Sequence, residues 1–533
     1  MSQTSPATQS LIIIFFLLFI FLCLFLCVFA ESGADSAAEF FTGNRVIKAW
    51  QRGFAIAGEY ITLLTVLATT NVIVFAGSDG VWLALGRVTA PALLMVLLAE
   101  PLRNAGRYTM GDALARRFPG RAVRIMMGVL VLAVCLPYLV LQLSGLGTTT
   151  TYLLGLSGAG AETACIAGLG VLMVCYAPFG GMQATVLVQI CKIALLFTTM
   201  AVITVMVLNR FDWSINGLLG AAEKGSGLGT AFLRPDQQFG SGPHHTLNLF
   251  GLHLTGILGV VALPHLTMHL YSARDTRSLR TSMRWAVGLT AALCTMVVVI
   301  GVGVAAIVGA EPLRQTNAGG VGGIPMLALA LDSSGLLLTA VACAVFVTAL
   351  AGVAGVTFAA ASSVAHDIYA HAVHRGHLAE GREVRAARWS AAVIGALGVA
   401  LAAVTVQWKH EFMLVLGLSF AASALTPVLL YGLLWRGFTK VGALWCMCGS
   451  SALVIVLTIF SPAISGSPGA VLPDQHFNWF PLLTPGLVTV PVGFALGWLA
   501  SVLDRRRRGT PAEDDKQYEE LELVVLTGKA AGV

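Results

Sequence analysis

One apolar run of this sequence carries an unusual number of polar side chains: Gly53-Phe-Ala-Ile-Ala-Gly58-Glu59-Tyr60-Ile61-Thr62-Leu-Leu-Thr65-Val-Leu-Ala-Thr69-Thr70-Asn71. A carboxylate, a tyrosine and four threonines lie within a segment long enough to cross a bilayer. Polar groups inside a membrane cost free energy and persist mainly where they are used. A helix that breaks near the middle of the membrane exposes carbonyls that bind cations, so we predict such a break near Gly58. The alternative is an unbroken helix whose hydroxyls bond back to its own carbonyls.

The composition of the whole chain is that of a membrane protein. Of its 533 residues, 57% are hydrophobic and only 11% are charged, whereas soluble domains carry about 25% charged residues. So few charges cannot cover a surface that faces water. Because lipid offers backbone groups no hydrogen-bond partners, the spanning segments must be helices. The predicted fold class is therefore an all-α integral membrane protein, with the lipid bilayer as a partner.

Thirteen apolar runs approach the length that a helix needs to cross the hydrocarbon core, which is about 20 residues. They lie near 11–30, 53–77, 81–99, 125–147, 160–179, 186–208, 248–271, 285–309, 335–361, 388–407, 411–434, 440–461 and 482–503. The first run could be a cleaved signal peptide. However, no Lys or Arg precedes it, and it is longer than the apolar core of an ordinary signal peptide, which favours a retained helix.

Arginines and lysines are distributed unevenly between the loops. When the loops are assigned to alternate sides, 25 of the 32 basic residues fall on one side and five on the other. The basic side is the cytoplasmic one, so we expect a plasma-membrane protein with its N-terminus outside and its C-terminus inside. The net charge of +6 then reflects topology and does not indicate nucleic-acid binding. Arg87 and Lys192 are exceptions because they lie inside apolar runs.

No segment of the chain indicates catalysis. The tail 504–533 opens with four arginines, which we expect at anionic headgroups. The phosphate-binding loop motif of ATPases does not occur, which excludes ATP-driven pumping by this chain. Neither a Cys–His metal spacing nor a nucleophile–base arrangement is evident, so we expect no enzyme and no cofactor.

Two titratable residues are candidates for coupling transport to an ion. Glu59 could pair with a cation or with a proton-carrying partner, or it could be a buried structural carboxylate. The run 248–271 combines several glycines with Pro264, a composition that allows a helix to be interrupted. Its His265 could titrate near neutral pH, although a hydrogen-bonded packing role is the more common one for a lone membrane histidine.

Several motifs follow one another from about residue 39 to 445. They are Glu39-Phe-Phe-Thr-Gly43, Gly53 to Tyr60, Ala99 to Asp112, Phe179-Gly-Gly-Met-Gln-Ala-Thr185-Val-Leu-Val-Gln189-Ile-Cys-Lys192, Leu263-Pro-His265, Ser363-Val-Ala-His366-Asp367-Ile-Tyr369 and Trp435-Arg-Gly-Phe-Thr439. In this order they resemble the solute:sodium symporter family. The features that resemble its acetate/monocarboxylate permease branch in particular are Gln189 with Lys192, the Leu-Pro-His motif and His366.

The resemblance implies a LeuT-type core of two inverted five-helix repeats. The repeats would be 53–208 and 248–434, after an N-terminal helix and linker over 1–52 and before two additional helices over 435–503 and the cytoplasmic tail 504–533. The implied activity is secondary active transport, a cation-coupled symport of a small monocarboxylate such as acetate, propionate or a pyruvate-like acid into the cell.

The resemblance also implies the positions of the two ligands. A cation would be bound at Gly58, Ile61, Thr348, Ala351 and Gly352. Since Ala351 and Gly352 have no side-chain oxygen where the family has serines, and sodium prefers several oxygen ligands, the coupling ion is open between sodium and the proton. By position, we expect the substrate at Thr62, Thr65, Gln142, Thr255 and Gly256.

Two other functions fit the same sequence. One is a symporter for a different small solute, such as an amino acid or a vitamin acid. The other is a channel or membrane sensor that does not accumulate a solute.

Overall fold

The structure is a computed structural model, and it describes residues 10–15, 18, 21, 36–156, 160–176, 181–240, 242–315, 322–406, 408, 410–467, 470–508 and 512–528. Within these ranges the chain is helical and forms no β-strand. The prediction of an all-α protein is therefore confirmed.

Helices follow one another along the described ranges from Ala37 to Thr527. The first ten are α1 (Ala37–Thr42), α2 (Ala49–Tyr60), α3 (Leu63–Ala76), α4 (Ser78–Leu97), α5 (Ala99–Ala105), α6 (Met110–Arg117), α7 (Arg121–Leu153), α8 (Ala161–Tyr176), α9 (Met182–Arg210) and α10 (Ile215–Gly225). The next are α11 (His245–Val261), α12 (Pro264–Tyr271), α13 (Thr276–Ile307), α14 (Ala310–Gln315), α15 (Gly323–Leu331), α16 (Leu336–Ser363), α17 (Glu380–Val404), α18 (His410–Phe420), α19 (Thr426–Leu434), α20 (Lys440–Ile459), α21 (Gly486–Arg508) and α22 (Ala512–Thr527). Short 3₁₀ helices cover Gly43–Arg45 and Gly229–Leu233, and π-helical segments cover Val364–Val373 and Ala421–Leu425.

Ten helical segments of the described chain are long and apolar enough to cross a membrane, and the bent pair α2–α3 would make eleven. The predicted run 160–179 coincides with α8, a shorter apolar helix of 16 residues. The first predicted run, 11–30, lies largely outside the described residues, so whether this helix is retained stays a prediction. The count of thirteen spans is therefore not confirmed, and the boundaries of the two repeats remain predictions.

Two of the membrane helices are interrupted. Between α2 and α3, Ile61 and Thr62 are extended, and the axes of the two helices differ by 53°. Between α11 and α12 the helix stops for two residues before Pro264, where a continuing helix would need the N–H that proline lacks. Both breaks agree with the sequence prediction, but the first one falls at Ile61 and Thr62, whereas Gly58 itself is helical.

Helix α16 runs through the interior of the protein. Nearly all of its residues are buried, as expected for a helix that is apolar on every side. It packs against α2, α7 and α9, and its segment 348–357 consists mostly of alanine, glycine, valine and threonine. Small side chains let helix backbones approach closely, so this segment gives the interrupted helix α2 a close neighbour.

Two arginines of the basic loops are buried and serve the fold. Arg52 of α2 is fully buried and makes five hydrogen bonds, all to uncharged acceptors. The acceptors are the hydroxyls of Ser272, Ser278 and Ser282 and the carbonyls of Ile47 and Ser272. These bonds join the start of α2 to the start of α13 and to the residue after α12.

Likewise, Arg117 at the end of α6 donates to four backbone carbonyls around the end of α19. Arg52 and Arg117 therefore cross-link distant parts of the chain, and they also contribute to the positive charge of the basic loops.

We expect Arg52→Met to lower the free energy of unfolding by about 3 kcal/mol or more, because buried acceptors would lose hydrogen bonds to a charged donor, worth roughly 1.5–3 kcal/mol each. Thermal unfolding of the purified protein in detergent measures the loss. Arg280→Met is the matched control, since Arg280 is exposed and bonded to Glu100, and exposed pairs contribute little. Equal decreases in Tm for the two variants would contradict the structural role of Arg52.

Candidate functional site

The break between α2 and α3 changes the partners of its backbone groups. In a continuous helix the Thr62 N–H would donate to the Gly58 carbonyl. Here it donates to Thr65 Oγ1 at 3.3 Å, and the Thr65 N–H donates to Thr62 Oγ1 at 3.1 Å. The two threonines thus form a reciprocal cap that begins α3. The Gly58 carbonyl therefore lacks the partner that a continuous helix would provide.

The partner of the Gly58 carbonyl is instead Lys192 of α9. Its ammonium donates to the Gly58 carbonyl with an Nζ–O distance of 2.6 Å, and its side chain is completely buried. Gln189 lies one turn earlier on the same face of α9, and its Nε2 donates to the Ala351 carbonyl at 3.1 Å. One face of α9 therefore contacts backbone carbonyls of both α2 and α16, at two of the positions predicted to bind a cation.

The other three predicted cation positions have different surroundings. The Thr348 hydroxyl donates to the Ala344 carbonyl at 2.6 Å, and Ile61 is buried in the break. Gly352 lies against Gln142, so closely that a β-carbon added to Gly352 would be 2.1 Å from Gln142 Nε2. Gln142, predicted as a substrate ligand, thus faces α16, and its amide atoms are buried with no hydrogen-bond partner among the described residues.

Glu59 is buried beside Lys192 without a hydrogen bond. Its two carboxylate oxygens have no donor among the described residues, and they lie against the backbone of α16 at Gly355. The nearest basic group in contact is His269 of α12, whose Nε2 is 3.7 Å from Glu59 Oε1. Since a buried carboxylate needs a partner, His269 is the group placed to interact with Glu59.

A cavity of about 80 Å³ opens where the two interrupted helices meet. Its polar lining comes from both sides of the first break, from α4, from α7 and from the two parts of the second interrupted helix. The polar lining residues are Tyr60, Thr62, Thr65, Arg87, Tyr138, His253 and His265. The apolar ones are Leu83, Leu252, Ile257, Val260, Leu263, Leu414 and Leu418, with Gly86 and Gly256 completing the wall.

The structure brings together three of the five predicted substrate positions. Thr62, Thr65 and Gly256 line the cavity. Thr255 lies outside it, because its hydroxyl donates back to its own helix and packs against Gly486 of α21. His265, predicted for coupling, lines the cavity, has an unpartnered Nδ1 within the described part of the chain, and packs on the ring of Tyr138 at a centroid distance of 5.2 Å.

Arg87 is a functional candidate that the sequence prediction did not select. It lies on α4, lines the cavity, and its Nε is buried with no hydrogen-bond partner in the described part of the chain. The signal was visible in the sequence as a single charge within the run 81–99, and a charge in such a position is a functional candidate by default. A guanidinium with unused donors can bind a carboxylate.

A second buried cluster of charges lies apart from the cavity. The Arg124 guanidinium contacts Asp112 at 3.1 Å and Asp367 at 3.3 Å. His366 contacts Asp112 through Nε2 at 2.9 Å, and it contacts Glu383 through Nδ1. The cluster joins α6 and α7 to α17 and to the π-helical segment 364–373.

Three of these groups, Asp112, His366 and Asp367, have possible metal-ligand atoms within 4.8 Å of one another. The positive charge of Arg124 already contacts both carboxylates, so ion pairs account for the cluster. Although burial alone favours the neutral acid, His366 and Arg124 hold the pKa of Asp112 well below its usual range. Asp112 is therefore ionised at neutral pH and paired within the fold.

Comparison with solved structures shows the fold. A Na⁺-coupled sialic acid symporter in a substrate-bound outward-open state matches with a TM-score of 0.70 at 14% identity, over 92% of this chain and 97% of that one. A nucleobase-cation-symport-1 family transporter, MHP1, in a closed conformation matches with a TM-score of 0.53 at 11% identity, over 92% and 99%. The chain therefore has the LeuT-type fold of cation-coupled membrane symporters, as predicted.

The sodium:solute symporter family matches residues 40–449, and the chain belongs to this family. It is 32% identical over 503 residues to the monocarboxylic acid transporter of Corynebacterium glutamicum, and the alignment covers 92% of this chain and 90% of that protein. It is 33% identical over 494 residues to the uncharacterized symporter YwcA of Bacillus subtilis, over 92% and 93%. The chain is thus a membrane symporter, and the family predicted from the motifs is confirmed.

We expect Gly355→Ala to lower the free energy of unfolding by about 1–3 kcal/mol, as overpacking usually does. The added β-carbon would lie 1.8 Å from Glu59 Oε1, so the carboxylate or α16 must move. Thermal unfolding in detergent measures the loss, and Gly288→Ala is the matched control because no atom lies within 4 Å of the added carbon. In the double variant with Glu59→Ala the two losses should not add, and additive losses would contradict the contact.

Proposed function

We propose that the protein imports a small monocarboxylate, such as acetate, propionate or a pyruvate-like acid, across a plasma membrane by symport with sodium or a proton. The observation that carries the proposal is the cavity at the two helix breaks, where Arg87 presents guanidinium donors among hydroxyl and apolar side chains. The planar guanidinium matches a carboxylate in both shape and charge. The relative from Corynebacterium glutamicum, named a monocarboxylic acid transporter, supports the same substrate class.

The size and lining of the cavity favour short acids. Its volume of about 80 Å³ is several times what one water molecule needs, about 10–15 Å³ on the same measure, and it suits a solute of few non-hydrogen atoms. With the carboxylate at Arg87, the alkyl end of the acid would contact the leucine, isoleucine and valine side chains of the lining. Burial of that end contributes roughly 0.8 kcal/mol per CH₂ group.

The lining also argues against an amino acid as the substrate. An amino acid would bring a positively charged ammonium group into the cavity, and a buried charge is best paired with a charge of opposite sign. Among the described residues that line the cavity there is no Asp or Glu, while one Arg and two His are present. A solute with a single negative charge and no positive one fits this charge distribution best.

Coupling to a cation follows from the membrane potential. Moving one negative charge into a cell whose interior is negative costs about 2.3 kcal/mol per 100 mV, and one accompanying cation cancels that charge. Accumulation requires that the two ligands bind one state together better than they bind it singly, a coupling commonly of about 1–3 kcal/mol. Import follows the inward electrochemical gradient of that cation, because symport moves both ligands in the same direction.

We expect Arg87→Gln to raise the half-saturation concentration for acetate at least about tenfold, because the carboxylate loses a charge-assisted hydrogen bond worth roughly 1.5–3 kcal/mol. Counterflow of labelled acetate in proteoliposomes measures this concentration without any imposed gradient. Arg280→Gln is the control, since Arg280 is exposed and paired with Glu100. An unchanged half-saturation concentration in Arg87→Gln would remove Arg87 from the substrate site.

The same assay tests the proposed class of protein and the positions predicted from sequence. A carrier shows exchange that is stimulated by unlabelled solute on the far side, whereas a channel or a sensor does not. Thr62→Ala should weaken acetate binding because Thr62 lines the cavity. If Thr62→Ala and Gln142→Ala both leave the half-saturation concentration unchanged, the predicted placement of the substrate beside the first break is wrong.

A further inference from the structure

The buried charges behind the cavity lead to a second conclusion, which rests on the proposed function. We infer that Lys192 is a tethered cation that takes the place of a bound metal ion on the Gly58 carbonyl, and that the proton is the ion coupled to transport. The proton would be carried by Lys192, with Glu59 as the buried carboxylate beside it.

Two of the backbone oxygens at the predicted cation positions already have hydrogen-bond donors. The Gly58 carbonyl accepts from Lys192 Nζ at 2.6 Å, and the Ala351 carbonyl accepts from Gln189 Nε2 at 3.1 Å. Ala351 and Gly352 have no side-chain oxygen. A sodium ion at these carbonyls would also lie within a few ångström of an ammonium group, and like charges repel strongly in a dry interior.

The positive charge of an ammonium group and that of a metal ion leave a binding site in different ways. A metal ion leaves its site only by moving, whereas an ammonium group releases a proton and stays in place as an amine. Lys192 is fully buried, and its one hydrogen bond among the described residues is to the Gly58 carbonyl. The charge on such a side chain depends on its few neighbours, because burial disfavours every unpaired charge. The buried ammonium is therefore a group whose protonation can change with the state of the transporter.

The titratable groups around the ammonium and Glu59 come from three helices. In the described part of the chain, Lys192 interacts electrostatically with Glu59 of α2 and with His265 of α12. His269 contacts Glu59, and Cys135 of α7 lies close enough to Glu59 to interact with it. The other helices that pack on α9, namely α1, α13, α15 and α16, bring no further charged group to the ammonium among the described residues.

The ammonium is also connected to the substrate cavity through the first break. Gly58, whose carbonyl Lys192 holds, is two residues before Tyr60 and four before Thr62, and both of these line the cavity. His265 of the second interrupted helix also lines the cavity and interacts with Lys192. The protonated amine therefore stabilises the geometry of the break that forms one wall of the substrate cavity. A proton and an anion that favour the same conformation are coupled by that shared preference.

Transport in proteoliposomes tests the inference, with labelled pyruvate as the probe because pyruvic acid is acidic enough to stay ionised near neutral pH, and the anion crosses lipid poorly. A pH gradient and a sodium gradient are imposed separately, with the membrane potential clamped, and a dye inside the vesicles reports proton entry. In the unaltered protein we expect the pH gradient, alkaline inside, to drive accumulation with proton entry, and the sodium gradient to drive none. Accumulation driven by sodium at equal pH would overturn the inference and leave the proposed function intact.

Two substitutions of Lys192 then distinguish a role in carrying the proton from a purely structural role. Lys192→Met removes the charge, and Lys192→Arg keeps a charge on the Gly58 carbonyl that cannot be released, since arginine stays protonated in proteins. In both we expect accumulation, measured relative to counterflow, to fall more than tenfold and proton entry to be lost. Lys192→Arg keeps the test valid if Lys192→Met does not fold.

Lys440→Ala is the matched control, since the Lys440 ammonium also contacts a backbone carbonyl but is exposed, and its accumulation should equal that of the unaltered protein. Proton-driven accumulation that persists in Lys192→Arg would show that Lys192 does not carry the proton. Absence of counterflow for every short monocarboxylate in the unaltered protein would instead contradict the proposed function itself.

Discussion

A helix that stops inside a bilayer leaves backbone groups that lipid cannot satisfy, and in this protein the hydrogen bond from Lys192 satisfies one of them, the Gly58 carbonyl. The reciprocal cap of Thr62 and Thr65 satisfies the amide on the other side of the break. With both groups paired, two extended residues can persist between α2 and α3, and the cavity forms beside them. The position of the cavity thus depends on how one carbonyl and one amide are satisfied.

The small residues of α16 make the second contribution. Because Gly352 and Gly355 have no side chain, Gln142 and Glu59 occupy the space where β-carbons would otherwise lie. Two polar side chains are thereby enclosed in the interior without hydrogen-bond partners among the described residues. Such groups are costly to bury, so the interior next to the break is not optimised for stability alone.

The buried basic residues divide into two kinds. Arg52 and Arg117 have neutral acceptors around them and connect distant helices, so their function is structural. Arg87 and Lys192 have few partners in the described part of the chain and lie at the cavity and at the break. A buried charge with unused hydrogen-bonding capacity can bind a ligand or release a proton, which a fully satisfied one cannot do without a large loss of stability.

The sequence by itself determined the membrane class, the family, the polar run that breaks and the interruption before Pro264, because hydropathy, proline and motif order are local properties of the chain. It also pointed to Thr62, Thr65, Gly256 and His265, which do line one cavity. Only the tertiary structure decided that Gln142 faces α16, that Thr255 faces α21, and that Arg87 faces the cavity. It also paired Gly58 with Lys192 across 134 positions of sequence. The physical reason is that the partner of a buried polar group is set by how helices pack against one another, and the periodicity of a single helix does not record which neighbour it will face.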